Sequence, residues 1–220
     1  MQLLEELRAE HDLIDQVVGS LRTFVAARLG GTADPADGPR FIRFFRVYAG
    51  HFHHAREEDT LFVALHERAE LPNDRGPIAV MLGDHERMAR VLDQLEAALA
   101  APLDTADTRG ALEASAVEYS RSLWLHIDAE NSVLFPEGQE RLRRHGIYEL
   151  PGRPMTTDEQ DARAIGETLV QQYRPMEDPG IIRGAGCVIC PAFTQDCRGL
   201  EREWWTELEW EEFEDHLSDG

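Results

Sequence analysis

The chain has 220 residues, of which 42% are hydrophobic, and a formal net charge of −20. That is enough apolar material for a folded domain with a sizeable core, while the charge disfavours nucleic acid and anionic membrane as partners, both being polyanions. No stretch approaches the roughly 18 uninterrupted apolar residues of a membrane span, no basic start followed by an apolar run marks a secretory leader, and three cysteines crowded between 187 and 197 make a poor disulfide framework that suits a reducing cytoplasm.

The first two-thirds of the chain is written at helical period. Helix one is expected from near Met1 to Leu29, with Leu4, Leu7, His11, Ile14, Val18, Leu21 and Val25 on one face. A breaker run from Gly30 to Pro39 follows. Helix two is expected over about Arg40 to Glu70, with the stripe Phe44, Val47, Tyr48, His51, His54, Glu58, Leu61, Phe62 and Leu65. Leu71-Pro72-Asn73-Asp74 breaks it, and Pro77 stands where a first-turn proline is tolerated. Helix three carries Ile78, Met81, His85, Met88, Leu92, Leu95 and Leu99 and ends at Ala101-Pro102. Helix four runs from about Thr108 to Arg144 with Leu112, Ala116, Tyr119, Leu123, His126, Ile127, Glu130, Val133 and Leu134, and Pro136 is expected to bend or interrupt its end. No strand-like alternation of any length occurs. The fold class expected is therefore all-α, an up-down-up-down four-helix bundle over residues 1–145.

Residues 146–220 form an extension of different character. A short helix is expected from Asp158 to Tyr173. A Pro- and Gly-rich stretch then holds Cys187, Cys190 and Cys197, and an acidic helix from Glu201 to Leu217 carries Trp204, Trp205, Leu208, Trp210 and Phe213. Cys-x-x-Cys can bind zinc or an iron–sulfur cluster, or act as a redox pair. Three thiols leave a tetrahedral site one ligand short, and inert cysteines are the plainer alternative. The acidic helix either docks on the bundle or receives a protein partner.

The strongest signal is polar. Each apolar stripe carries a histidine near its middle, His11, His54, His85 and His126, and two carry a glutamate one turn later, Glu58 and Glu130. Residues at i and i+4 lie one above the other, so each pair can grip one metal cluster. Bare carboxylates in an apolar core cost several kcal/mol, roughly, without a cation, and imidazole with carboxylate suits iron, manganese or zinc. Helix two offers a rival phase, His53 with Glu57. Its face includes Arg46, Ala49, Gly50 and Thr60, whereas the other includes Val47, Leu61, Phe62 and Leu65, so burial is expected to select His54 and Glu58. His51 and Tyr119, one and two turns before a histidine on the same stripes, are candidates for a supporting shell or for plain packing.

The segments Glu10-His11-Asp12, His53-His54-Ala55-Arg56-Glu57-Glu58, Asp84-His85-Glu86 and His126-Ile127-Asp128-Ala129-Glu130 resemble those of the hemerythrin-like HHE cation-binding family. The resemblance implies two iron ions joined by an oxo or hydroxo bridge, with Glu58 and Glu130 bridging and the four histidines capping. It departs from the oxygen-carrying members at Ala89, where they have a second helix-three histidine, and at His126-x-x-x-Glu130, where they have His-x-x-x-x-Asp. One histidine fewer leaves a more open site, better suited to reaction, sensing or iron exchange than to clean oxygen carriage. The functions implied are binding, sensing or reaction with a small molecule such as oxygen, peroxide or nitric oxide. An iron donor or iron–sulfur repair protein, and a di-iron oxidase or peroxidase, are the alternatives.

Overall fold

The computed structural model describes residues 1–74 and 76–181. The cysteines and the acidic tryptophan-rich segment lie outside the described residues. Those described contain helices and no strand. Five continuous helical runs follow one another: α1, Gln2–Leu29; α2, residues 37–69; α3, Gly76–Ala100; α4, residues 106–144; and α5, Thr157–Gln172. None is long and apolar enough to cross a membrane.

Local chemistry sets the ends. Thr105 opens α4 and Thr156 opens α5, each closing a reciprocal capping box, with Thr108 and Glu159 respectively. Glu70 ends α2 in the left-handed conformation, φ 57°, an arrangement unfavourable for a residue with a side chain. Arg141 of α4 supports that turn by donating from Nε to the Ala69 carbonyl at 2.6 Å and from Nη2 to the Glu70 carbonyl at 3.2 Å.

α1 and α3 both pack along α4, and α5 lies across the first half of α2 and against α1. Thus residues 157–172 pack on the helices before them. Tyr173 and Gln172, at the end of α5, donate to the Asp37 carboxylate at 2.6 Å each.

Two stretches of α2, Phe44–His54 and Glu57–Phe62, and one of α4, Glu130–Leu134, close their hydrogen bonds from i to i+5. Such π-helical turns hold more residues than an α-turn and occur often at functional sites. In α4 the wide turn falls just before Pro136, which has no N–H to give. Helical hydrogen bonding continues through Phe135–Arg144, so the proline does not end the helix.

The apolar side chains fall into two clusters. The larger contains Ile14, Val18, Phe24, Phe45, Phe52, Met88, Leu92, Leu123 and Ile127, and the smaller contains Leu3, Leu7, Leu61, Leu65, Met81, Leu134 and Phe135. Along α1 the boundary falls between Leu7 and Ile14, along α2 between Phe52 and Leu61, along α3 between Met81 and Met88, and along α4 between Ile127 and Leu134. Glu10 and His11, then His53, His54 and Glu57, then His85, and then Glu130 occupy those intervals, with His126 just before the last of them.

A buried histidine and carboxylate layer

Ligand-type atoms converge there in two groups, each with its members within 4.8 Å of one another. One is His54, Glu57, His85 and His126; the other is His11, His53, Glu57 and Glu130. Glu57 belongs to both. His53 Nε2 lies 3.4 Å and His11 Nε2 3.8 Å from Glu57 Oε1, and His85 Nε2 lies 3.5 Å from Glu57 Oε2. Glu130 Oε2 stands between His11 Nε2, at 3.2 Å, and His126 Nε2, at 3.3 Å. His85 and His126 bring their Nε2 atoms within 3.1 Å of each other, and His54 stacks on His85 with ring centroids 3.8 Å apart.

Of the residues expected from the sequence, His11, His54, His85, His126 and Glu130 are brought together here. Glu58 is not. Burial in α2 runs opposite to the expectation: the Glu57 side chain is 0% exposed and that of Glu58 is 39% exposed. His53 is buried as well. The physical reason is the π-helical geometry. The stripe argument assumed 3.6 residues per turn, whereas i to i+5 turns let neighbours such as His53 and His54 both reach the interior. Spacing could not separate the two phases, because His53-x-x-x-Glu57 and His54-x-x-x-Glu58 both repeat that of His126-x-x-x-Glu130.

The outer ring nitrogens are supported in turn. Nδ1 of His11 meets Asn131 Oδ1 at 3.0 Å, Nδ1 of His53 meets Glu10 Oε2 at 2.9 Å, and Nδ1 of His85 meets Glu58 Oε1 at 2.6 Å. Nδ1 of His126 faces Asp84 Oδ2 at 3.7 Å. An acceptor at Nδ1 fixes the tautomer and turns the Nε2 lone pair inward, the usual support of a metal-ligating histidine. Glu58 thus orients His85 from outside. His51 is exposed and Tyr119 packs edge-on against Phe45 in the larger apolar cluster, 4.9 Å between centroids.

The electrostatics of the side chains alone are strained. Burial and the neighbouring Glu130 push the Glu57 carboxyl well up. Burial opposes ionisation of Glu130 too, but His126 and His11 outweigh it and hold that carboxyl well down. Burial alone would lower His126, yet Glu130 and Asp84 raise it to about 9. Burial pushes His53 and His54 well down, and His85 down against the pull of Glu58. Both oxygens of Glu57 and Glu130, and Nε2 of His11 and His54, lack hydrogen-bond partners. Orphaned buried acceptors are costly, roughly 1–3 kcal/mol each, and a cation among them would satisfy several at once. Five imidazoles and two carboxylates, with no thiolate among them, fit a divalent transition metal of borderline softness.

A helical protein with such a buried layer is built to bind metal cations. Residues 2–137 match the hemerythrin HHE cation-binding domain, and the chain belongs to that family. No curated protein and no solved structure matches the chain.

Proposed function

We propose that the chain is a non-haem dinuclear iron protein that binds, senses or reacts with a small molecule such as oxygen, peroxide or nitric oxide. The observation that carries this reading is the position of Glu57, one carboxylate shared by two four-donor groups. In this reading His54, His85 and His126 would hold one iron, His11, His53 and Glu130 would hold the other, and Glu57 would serve both. The four histidine-bearing helices act as an up-down-up-down bundle around the pair. When bound, iron supplies the redox and Lewis-acid chemistry that acts on the small molecule.

The chain's own residues set the conditions. Glu57, which favours its protonated form in the side-chain layer alone, gives up that proton as cations enter, so binding strengthens with rising pH. Asn131, Glu10 and Glu58 hold the rings of His11, His53 and His85 in the binding tautomer. Access is supported by a surface groove of about 550 Å³ whose walls include His51, His54, Glu58, His85 and Glu86, wide enough for a diatomic ligand.

Anaerobically purified protein should hold two irons per chain and give a visible spectrum that changes with oxygen or nitric oxide. One metal or none per chain, or stable loading with zinc and indifference to both gases, would overturn the reading.

A further inference from the structure

The two donor groups differ in what lies outside them. The group of His54 and His85 opens on the 550 Å³ groove. A separate, larger groove of about 900 Å³ is walled by α1, α2, residues 149–155 and Arg163 of α5, and none of the seven donor residues lines it. Glu10 and Arg56 are part of its wall. Glu10 accepts from Arg56 Nη1 on one oxygen and meets His53 Nδ1 at 2.9 Å with the other. Arg56, 3% exposed, also donates from Nη2 to Glu6.

What presses on Arg56 comes from beyond the family domain, which ends at residue 137. Ile147 and Leu150 are buried in the smaller apolar cluster and anchor a strap running across α1 and α2. Gly152 of that strap lies so close that a Cβ there would stand 2.6 Å from Arg56 Nη2 and 2.9 Å from Glu6 Oε2. Arg153 then donates to the His51 carbonyl at 2.8 Å and to Glu159 at 2.7 and 2.8 Å. Arg56 and Arg153 both lie 5.1 Å from the centroid of the Phe52 ring.

We infer that the strap of residues 147–155 seals the His11/His53 cation position by clamping Arg56 onto Glu10, so that the two cations exchange with solvent at different rates. The inference rests on the dinuclear reading above. Gly152 and Arg153 are positioning residues: they touch no cation, and act through Arg56 and Glu10 on His53. The outer cation leaves by the groove at His54. The inner one leaves only when the Arg56 clamp opens and joins the larger groove to His53.

The test uses the full chain loaded with two equivalents of cobalt(II), whose absorption reports release into excess chelator. Wild-type protein should release one equivalent quickly and the other more slowly. Gly152→Val should accelerate the slow phase by about ten- to a hundred-fold, the scale of lost support around a metal ligand, and leave the fast phase unchanged. Arg153→Gln, which adds no bulk, should act in the same direction, with circular dichroism confirming the fold of each variant. Binding of fewer than two cobalt ions would count against the dinuclear reading itself. Two ions that leave wild-type protein in a single phase, or a slow phase unmoved by both substitutions, would overturn the strap inference and leave that reading standing.

Discussion

Replacing Glu57 by methionine sets stability against metal binding in a way few structural residues would. The side chain is fully buried, both its oxygens lack hydrogen-bond partners, and Glu130 lies in the same group. Without cations that buried carboxyl is a burden. Exchanging it for an apolar side chain of similar size removes a penalty of roughly 1–3 kcal/mol. For a domain of this size each kcal/mol moves Tm by about 2–4 °C, so the metal-free variant should melt roughly 2–12 °C above metal-free wild type. With iron(II) the order reverses. Wild-type protein gains about 4 kcal/mol at a thousandfold excess over its dissociation constant, whereas the variant has lost the donor common to both groups and should gain little. Thermal melts of both proteins with and without anaerobic iron(II), alongside metal analysis, measure all four states. A variant that still takes up two irons with the wild-type rise in Tm, or whose metal-free form melts several degrees lower, would refute the assignment of Glu57.

The neighbouring Glu58→Gln should leave metal-free stability unchanged and weaken iron binding by about ten- to a hundred-fold, since it only supports His85 from outside; complete loss of both irons would restore Glu58 as a donor. The Glu159 carboxyl is held near pKa 2, chiefly by Arg153. A depressed folded value means that its stabilisation is complete above the ordinary glutamate value and is lost as pH falls from about 4.5 towards 2, so Glu159→Gln should flatten the acid limb of a Tm–pH profile. Gly166→Ala should destabilise the protein by about 1–3 kcal/mol, read from denaturant melts, because its Cβ would stand 2.5 Å from Cδ2 of the buried Phe44 ring. A chain ended after Ile181 should keep its full iron content by metal analysis, since every donor lies between His11 and Glu130.

Much was legible in the sequence because helical burial is periodic. The stripes through Leu7, His11 and Ile14, through Met81, His85 and Met88, and through Leu123, His126 and Glu130 each placed a polar residue where only apolar ones belong, and α1, α3 and, as far as Ala129, α4 keep the α-period there. The same reasoning failed in α2. A π-helical turn changes the angle between successive side chains, and its formation depends on packing against the other helices, which no local pattern records. Tertiary structure therefore decided that His53 and Glu57 face the layer and that Glu58 stands outside it. It also decided that Glu10 and Arg56, separated by 46 positions, meet behind His53, with Gly152 laid over them from a segment whose loop-like composition carries no periodic signal. Contacts between distant segments are set by how helices cross and where a strap returns, and a one-dimensional period holds no information about either.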